Sequence, residues 1–326
     1  MVSIYSIISS NSRISSALPT GLVAVFVGAT SGIGEATLKK FAQHANNPRA
    51  YFIGRSQEAA DRIVSECQAL NPRGQYIFRK ADVSLIRVVD EVCEEIKAKE
   101  KFINILFLSC GIASFDRAKT TEGLHLLAAL NYYARIRFIT NLLSLIRHAP
   151  SLRRVVTVGG GGHEGEIDRT DFPALKIPVE NLREHLTSLV TLGLEAVAQT
   201  TSEVSFVHDY PGTVRTKLLD YMSEDILKTL KFVPVDESGQ RHLFLATSAK
   251  FPSADRAYIM GVPLGDGVEV AVGTSGVVSS GIYSVGADCE SVSPAVLKLL
   301  NNLRERGLVE EVSQHTEGEF RRIIVG

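Results

Sequence analysis

The run Val23-Ala-Val-Phe-Val-Gly-Ala-Thr-Ser-Gly-Ile-Gly34 decides the fold of this chain. An apolar stretch rich in β-branched residues leads into three glycines and then into a helical pattern, Glu35 to His44. The spacing predicts a strand, a tight turn and a helix N-terminus, the arrangement that holds a dinucleotide pyrophosphate. Small residues let the backbone approach phosphate, and the orphan N–H groups of the first helical turn face the negative charge. Gly28, Thr30, Ser31, Gly32, Ile33 and Gly34 are therefore candidate cofactor contacts. Their order, G-x-x-x-G-x-G, departs from the more familiar G-x-G-x-x-G.

Further along, the pattern keeps alternating. Ala50–Ile53 reads as a short strand ending at Gly54, and Ser56 can cap a helix to Leu70. Residues 75–78 form a third strand, 85–98 an amphipathic helix, and 103–108 a strand of the buried, parallel type. A long helix is expected over 121–147, a fifth strand over 154–158, a helix over 186–198 and a sixth strand over 204–207. Beyond Asp236 the signal weakens. A helix over 237–247, a last strand over 282–285 and a helix started by Ser293-Pro294 are expected, with a peripheral helical tail. Strands alternating with helices imply a Rossmann-like α/β fold, a doubly wound parallel sheet with helices on both faces, plus a C-terminal extension. Residues 1–21 are read as an N-terminal arm, 22–250 as the dinucleotide-binding domain, and 251–326 as an extension packing on it.

Composition excludes several classes. Of the 326 residues 45% are apolar and the formal net charge is −1, which gives no reason to expect nucleic acid or an anionic membrane as partner. Nothing is long and apolar enough to span a bilayer. Cys67, Cys93, Cys110 and Cys289 are far apart, without metal-ligand spacing, so neither a disulfide framework nor a metal site is expected. A reducing, cytoplasmic location follows as the expectation.

About twenty residues beyond Gly34, where a carboxylate would select NAD by holding the ribose 2′-OH, stand Gly54, Arg55 and Ser56. A guanidinium beside a small residue and a hydroxyl accommodates a 2′-phosphate, so the expected cofactor is NADP(H).

The glycine spacing resembles that of the short-chain dehydrogenase/reductase family, with Val27 in place of the usual Thr. Other segments strengthen the resemblance over about residues 22–250. Asp82-Val83 matches the pair that meets the adenine. Ser109-Cys110-Gly111 stands where the family has N-A-G. Asn131 matches the fourth-helix member of the catalytic tetrad. Pro211-Gly212-Thr213-Val214-Arg215-Thr216 matches the PGxVxT loop beside the nicotinamide carboxamide. Ser109, Gly111, Pro211, Gly212, Val214 and Thr216 thus join the cofactor-binding candidates.

The resemblance also implies a serine ending the fifth strand and a Tyr-x-x-x-Lys on the next helix. Here the serine position is Gly160, and the tyrosine is expected among Glu180, Asn181, Leu182 and Arg183, with the lysine at 184–187. Neither residue type is present there. The replacements considered are His163, with an ordinary pKa near 6.5, Arg183 or His185 at an expected helix start, and Tyr210 beside the Pro-Gly loop. The E-G-x-I-D segment after the fifth strand and the missing YxxxK are similar to a divergent group of fungal short-chain dehydrogenases with members in secondary-metabolite pathways.

Three activities are compatible with these residues. The first is NADP(H)-dependent oxidation or reduction of a carbonyl, alcohol or iminium on a small hydrophobic metabolite, with an atypical proton donor. The second is a non-redox cyclase or isomerase that keeps the cofactor site. The third is a catalytically silent NADP(H) sensor. The family often pairs subunits through its fourth and fifth helices, and the tail can cover those faces, so both monomer and homodimer are expected states.

Overall fold

The computed structural model describes residues 1–114, 116–220, 222–255 and 261–326. Two short helices, α1 (Ile4–Ser12) and α2 (Ile14–Ala17), precede β1 (Val23–Val27). Then follow α3 (Gly32–His44), β2 (Arg49–Gly54), α4 (Gln57–Leu70), β3 (Gln75–Lys80), α5 (Ile86–Lys97) and β4 (Ile105–Leu108). After α6 (Leu126–Ala128), a π-helical turn (Ala129–Tyr133) runs into α7 (Ala134–Arg147), β5 (Arg154–Val158), α8 (Val179–Ala198) and β6 (Ser205–Asp209). A 3-10 turn (Lys217–Leu219), α9 (Glu224–Thr229), α10 (Val235–Thr247), β7 (Ile282–Val285), α11 (Pro294–Glu305) and α12 (Leu308–Val325) complete the order.

The strands pair in parallel in the order β3-β2-β1-β4-β5-β6-β7. Their alternate residues feed two separate cores. Ala24, Phe26, Phe52 and Phe107 pack under α3, α4 and α10, with Ile7 of the N-terminal arm, while Val25, Ile53, Leu106 and Val155 pack under α5, α7, α8 and α12. Burial on both faces is why these runs lack polar alternation. The order reverses between β1 and β4, and a crevice at such a switch point, outside the carboxyl ends of the strands, is where this class of sheet takes ligands.

Three expectations need correction. The long helix does not begin at residue 121. Gly123 adopts φ +82° in a turn closed by its N–H to the Thr120 carbonyl, and regular helix starts only at Leu126. The helix expected over 186–198 starts at Val179 behind Pro178, so Arg183 and His185 lie inside it rather than at its start. The tail is not peripheral. Leu308, Val312, Phe320 and Ile323 of α12 are buried in the second core, and Arg304 of α11 makes a two-pronged bridge to Glu195 of α8 at 2.8 Å.

Candidate cofactor and active site

The glycine turn explains its own composition. Gly28 has φ +83°, and a Cβ there would lie 2.5 Å from the Cys110 amide nitrogen; at Gly34 it would lie 2.5 Å from Ser109 Oγ and 2.6 Å from the Gly28 carbonyl. Only hydrogen fits at either place. Ser109 Oγ in turn donates to the carbonyls of Val27 and Gly28, fastening the end of β4 to the turn. Ser31 is the N-cap of α3 without a side-chain cap bond, so its hydroxyl leaves the first-turn N–H groups open to a ligand.

A cleft of about 760 Å³ opens from this turn, within the ordinary range for a cofactor and substrate site. Its lining includes Gly28, Thr30, Ser31, Gly32, Ile33 and Gly34 from the turn. Arg55, Asp82, Val83, Ser109 and Gly111 line the β1–β3 side and the switch point. Asn131, Arg183, Pro211 and Thr216 line the β4–β6 side. Gly54 carries no side chain for a steric reason, since a Cβ there would run into Thr30. Any side chain at the end of β2 would have to displace Thr30, and the exposed Arg55 follows directly.

The remaining candidates sit elsewhere. Ser56 caps α4 by accepting from the Ala59 N–H at 3.2 Å and lines an adjoining depression with Lys39 and Arg62. Those two cations are engaged by Glu35 and Glu66. Gly212, at φ +75°, and Val214 shape the Pro-Gly loop from outside the cleft, Val214 by a parallel bridge to Val233. His163 and Tyr210 do not line the cleft either. Their rings meet edge to face at 4.7 Å, and the Arg183 guanidinium lies over the Tyr210 ring at 4.8 Å. Burial, then Arg183, lowers the His163 pKa, so its ring is neutral near pH 7 and a poor acid there. His185 is buried, accepting from the Asp168 N–H at 3.3 Å and bonding the Phe172 carbonyl at 3.2 Å through its other nitrogen, which is a structural role.

The positions expected from the resemblance to hold the catalytic residues line the cleft. Arg183 and Thr187, four residues apart on one face of α8, both line the cleft, opposite Gly160. A Cβ at Gly160 would press against Thr187 Oγ1, and one at Gly159 would lie 2.7 Å from His208 Nε2. The glycines therefore make room for side chains that the sequence reading missed. His208 Nε2 accepts from the Gly160 N–H at 3.2 Å, which leaves Nδ1 to donate to Thr191 Oγ1 at 2.9 Å. Thr191 donates to Glu164 at 2.8 Å, and Ser284 donates to the same oxygen at 2.5 Å. Burial pushes the Glu164 carboxyl up and drops the His208 pKa to about 3, the latter with help from Arg135.

Asn131 occupies the middle of the π-helical turn, its amide reaching the Ile112 carbonyl at 3.4 Å. Such turns recur at functional sites because the extra residue re-aims side chains. One helical turn later comes Arg135, buried against the ends of β4 and β5; its i+4 spacing from Asn131 was the signal that would have found it. The neighbours Tyr132 and Tyr133 pack in the core and also bond α12, to Thr316 at 2.5 Å and His315 at 2.7 Å.

The sheet order, the glycine turn and the cleft define a dinucleotide-binding oxidoreductase class, and the chain belongs to the short-chain dehydrogenase family: the family described as short chain dehydrogenase matches residues 22–225. The chain is 39% identical, over 97% of both chains, to Oxidoreductase AN1596 from Emericella nidulans. It is 30% identical to Short-chain dehydrogenase/reductase SAT2 from Stachybotrys chartarum, over 86% of this chain and 87% of that one. Among solved structures, YwfH, an NADPH-dependent reductase involved in bacilysin biosynthesis, shares the fold with a TM-score of 0.57 at 15% identity, covering 78% of this chain and all of that one. Among the described residues no helix is long and apolar enough to cross a membrane, and no cluster of metal-ligating side chains is present.

Proposed function

We propose that this protein is an NADP(H)-dependent oxidoreductase acting on a carbonyl, alcohol or iminium of a hydrophobic metabolite. The observation that carries this reading is the cleft itself. At one end it joins the glycine turn to Arg55, with Thr30 packed against Gly54, and at the other its walls carry apolar side chains, including Leu127, Leu130, Leu182, Leu186 and Val190. A bound nicotinamide supplies the hydride donor or acceptor. Everything else falls to this chain's side chains: the glycine turn and Thr216 hold the phosphates, Arg55 and Ser56 the 2′-phosphate, and Asn131 faces the reacting half.

The proton donor is atypical. Gly160 and Thr187 offer neither the serine nor the lysine of the family pattern, and Arg183 stands where the tyrosine would. Arg183 polarises a substrate oxygen once substrate has displaced the water around it, with Tyr210 stacked beneath it as the nearest phenol and water as the final proton source. This arrangement also favours one other reading, a non-redox cyclase or isomerase on the same fold, because a cation without a strong acid suits rearrangement as well as reduction.

The test is to mix purified protein, NADPH and a panel of hydrophobic ketones, aldehydes and iminium compounds, and to follow nicotinamide absorbance with product analysis. NADPH consumed one for one with product is the expected result. Product without any change in the nicotinamide establishes the second reading instead. Binding of NADPH with no product from any compound points to the sensor.

A further inference from the structure

The cleft is electrically lopsided. Asp82 is the one carboxylate among its described lining residues, and it lies after β3 on the adenosine side, where Arg55 stands. The half over β4–β6 is lined by Arg135, Arg183 and Lys217 and, among the described residues, by no acidic one. Arg183 is exposed, so solvent screens it. Arg135 is not: it is 3% exposed.

Its hydrogen bonds all go to uncharged acceptors. Nε donates to the Leu130 carbonyl at 3.3 Å, one terminal nitrogen donates to Thr157 Oγ1 at 2.7 Å and to the Val158 carbonyl, and the other donates to the Cys110 carbonyl at 2.6 Å. The groups packed around it do not neutralise it. Cys110 is a buried thiol whose pKa burial raises, and His208 is a neutral ring. Asp209, a buried carboxylate, favours its charged form through its field but makes no hydrogen bond to it: its Oδ2 is taken by His242 at 3.0 Å, and its Oδ1 forms no hydrogen bond with any described residue. A buried cation without a paired carboxylate is costly to keep, and its field reaches into the cleft with little screening.

The two redox states of a nicotinamide differ by one positive charge on the ring, which the oxidised form carries and the reduced form lacks. The dinucleotide's other charges are the same in both. Because the sheet reverses at the glycine turn, with the 2′-phosphate side at Arg55, the nicotinamide half falls to β4–β6. Resting on the cofactor reading proposed above, we infer that Arg135 biases this site toward the reduced nucleotide, so that NADPH is taken up in preference to NADP⁺ and reduction is the direction the bound form supports. In that direction a carbonyl carbon gains a hydride and its oxygen gains a proton, or an iminium carbon gains a hydride alone. The hydride comes from NADPH, and the NADP⁺ left behind is released because its charged ring is repelled.

Equilibrium binding tests this without turnover. Nucleotide fluorescence or calorimetry on the intact protein gives the ratio of Kd for NADP⁺ to Kd for NADPH, expected to be about tenfold or more and to survive roughly 0.5 M salt, which screens exposed charges but not buried ones. Arg135→Gln brings the ratio toward one, whereas Arg135→Lys and Arg183→Gln keep it. Should Arg135→Gln fail to fold, Asn131→Asp is the second variant. It is nearly isosteric and places a carboxylate one helical turn from Arg135, beside Gly111, which both side chains approach, and it too is expected to collapse the ratio. A wild-type ratio near one, or a ratio unchanged in both charge-altering variants, overturns the inference while leaving NADP(H) binding intact. Failure of both nucleotides to bind overturns the inference and the cofactor reading together.

Discussion

The two ends of the cleft are built by different means. Around β1–β3 the work is done by backbone: glycines that no side chain could replace, uncapped helix N–H groups, and a serine hydroxyl tying β4 to the turn. Around β4–β6 it is done by side chains, with Gly160, Arg183 and Thr187 along the wall and Arg135 and His208 beside them. Backbone solutions leave few substitutes, because a Cβ either fits or does not. Side-chain solutions can be exchanged only in concert where they fit closely, as Gly160 fits Thr187 and Gly159 fits His208.

The largest effect is expected at the backbone end. Gly34→Val drives a side chain into Ser109 and the Gly28 carbonyl, neither of which can retreat. NADPH affinity should fall about a hundredfold or more, and overpacking should lower stability by roughly 1–3 kcal/mol, read by fluorescence titration and a melting curve. Retained affinity would break the contrast between the two ends. Next, Arg55→Glu should weaken NADPH binding by about ten- to a hundredfold while leaving NADH nearly unaffected, since only the former carries a 2′-phosphate for the new carboxylate to repel.

At the side-chain end, His208 is held neutral, its pKa dropped to about 3 by burial and then by Arg135. The unfolded chain takes up this proton near pH 6.5 and the folded one does not until about pH 3. The stabilisation is therefore complete above about pH 6.5 and lost progressively as pH falls toward about 3. Melting temperature should drop on acidification, and His208→Gln should flatten that slope.

Smaller again, Gly160→Ser should cost roughly 1–3 kcal/mol because Thr187 must move. Pairing it with Thr187→Ala should recover most of the loss, a coupling that a double-mutant cycle measures. Additive losses would mean the two positions are not fitted to each other. The smallest change is Thr316→Val, which deletes the hydroxyl's bonds to Tyr132 and to the Val312 carbonyl and should lower stability by about 0.5–1.5 kcal/mol.

This contrast also explains what could be read from the chain. The strand–turn–helix run, the sheet and the glycine turn were legible because local spacing determines them: an apolar run, then glycines, then a helical period. Helix starts at Pro294 and Gln57 were legible for the same reason, since Ser293 and Ser56 cap them by bonds three residues long. The start of α8 was missed because its N-cap is Pro178, which offers no side-chain acceptor. His163 was misplaced because the loop after β5 turns it back onto Tyr210, a packing choice that spacing does not encode. Arg135 and His208 belong to a helix and a strand that are 73 positions apart in the sequence, and only tertiary packing makes them neighbours.

The bonds from Tyr132 to Thr316 and from Tyr133 to His315 join positions 184 and 182 residues apart. On a ribosome the segment holding Asn131 emerges long before its buttress exists, whereas every residue of the glycine turn and its fastening serine is already out by residue 109. The glycine turn is thus closed by nearer neighbours in the chain, while the reacting end awaits α12. Contacts of such separation form late and slowly, which makes the ordering of the π-helical turn a natural last event in the maturation of this enzyme.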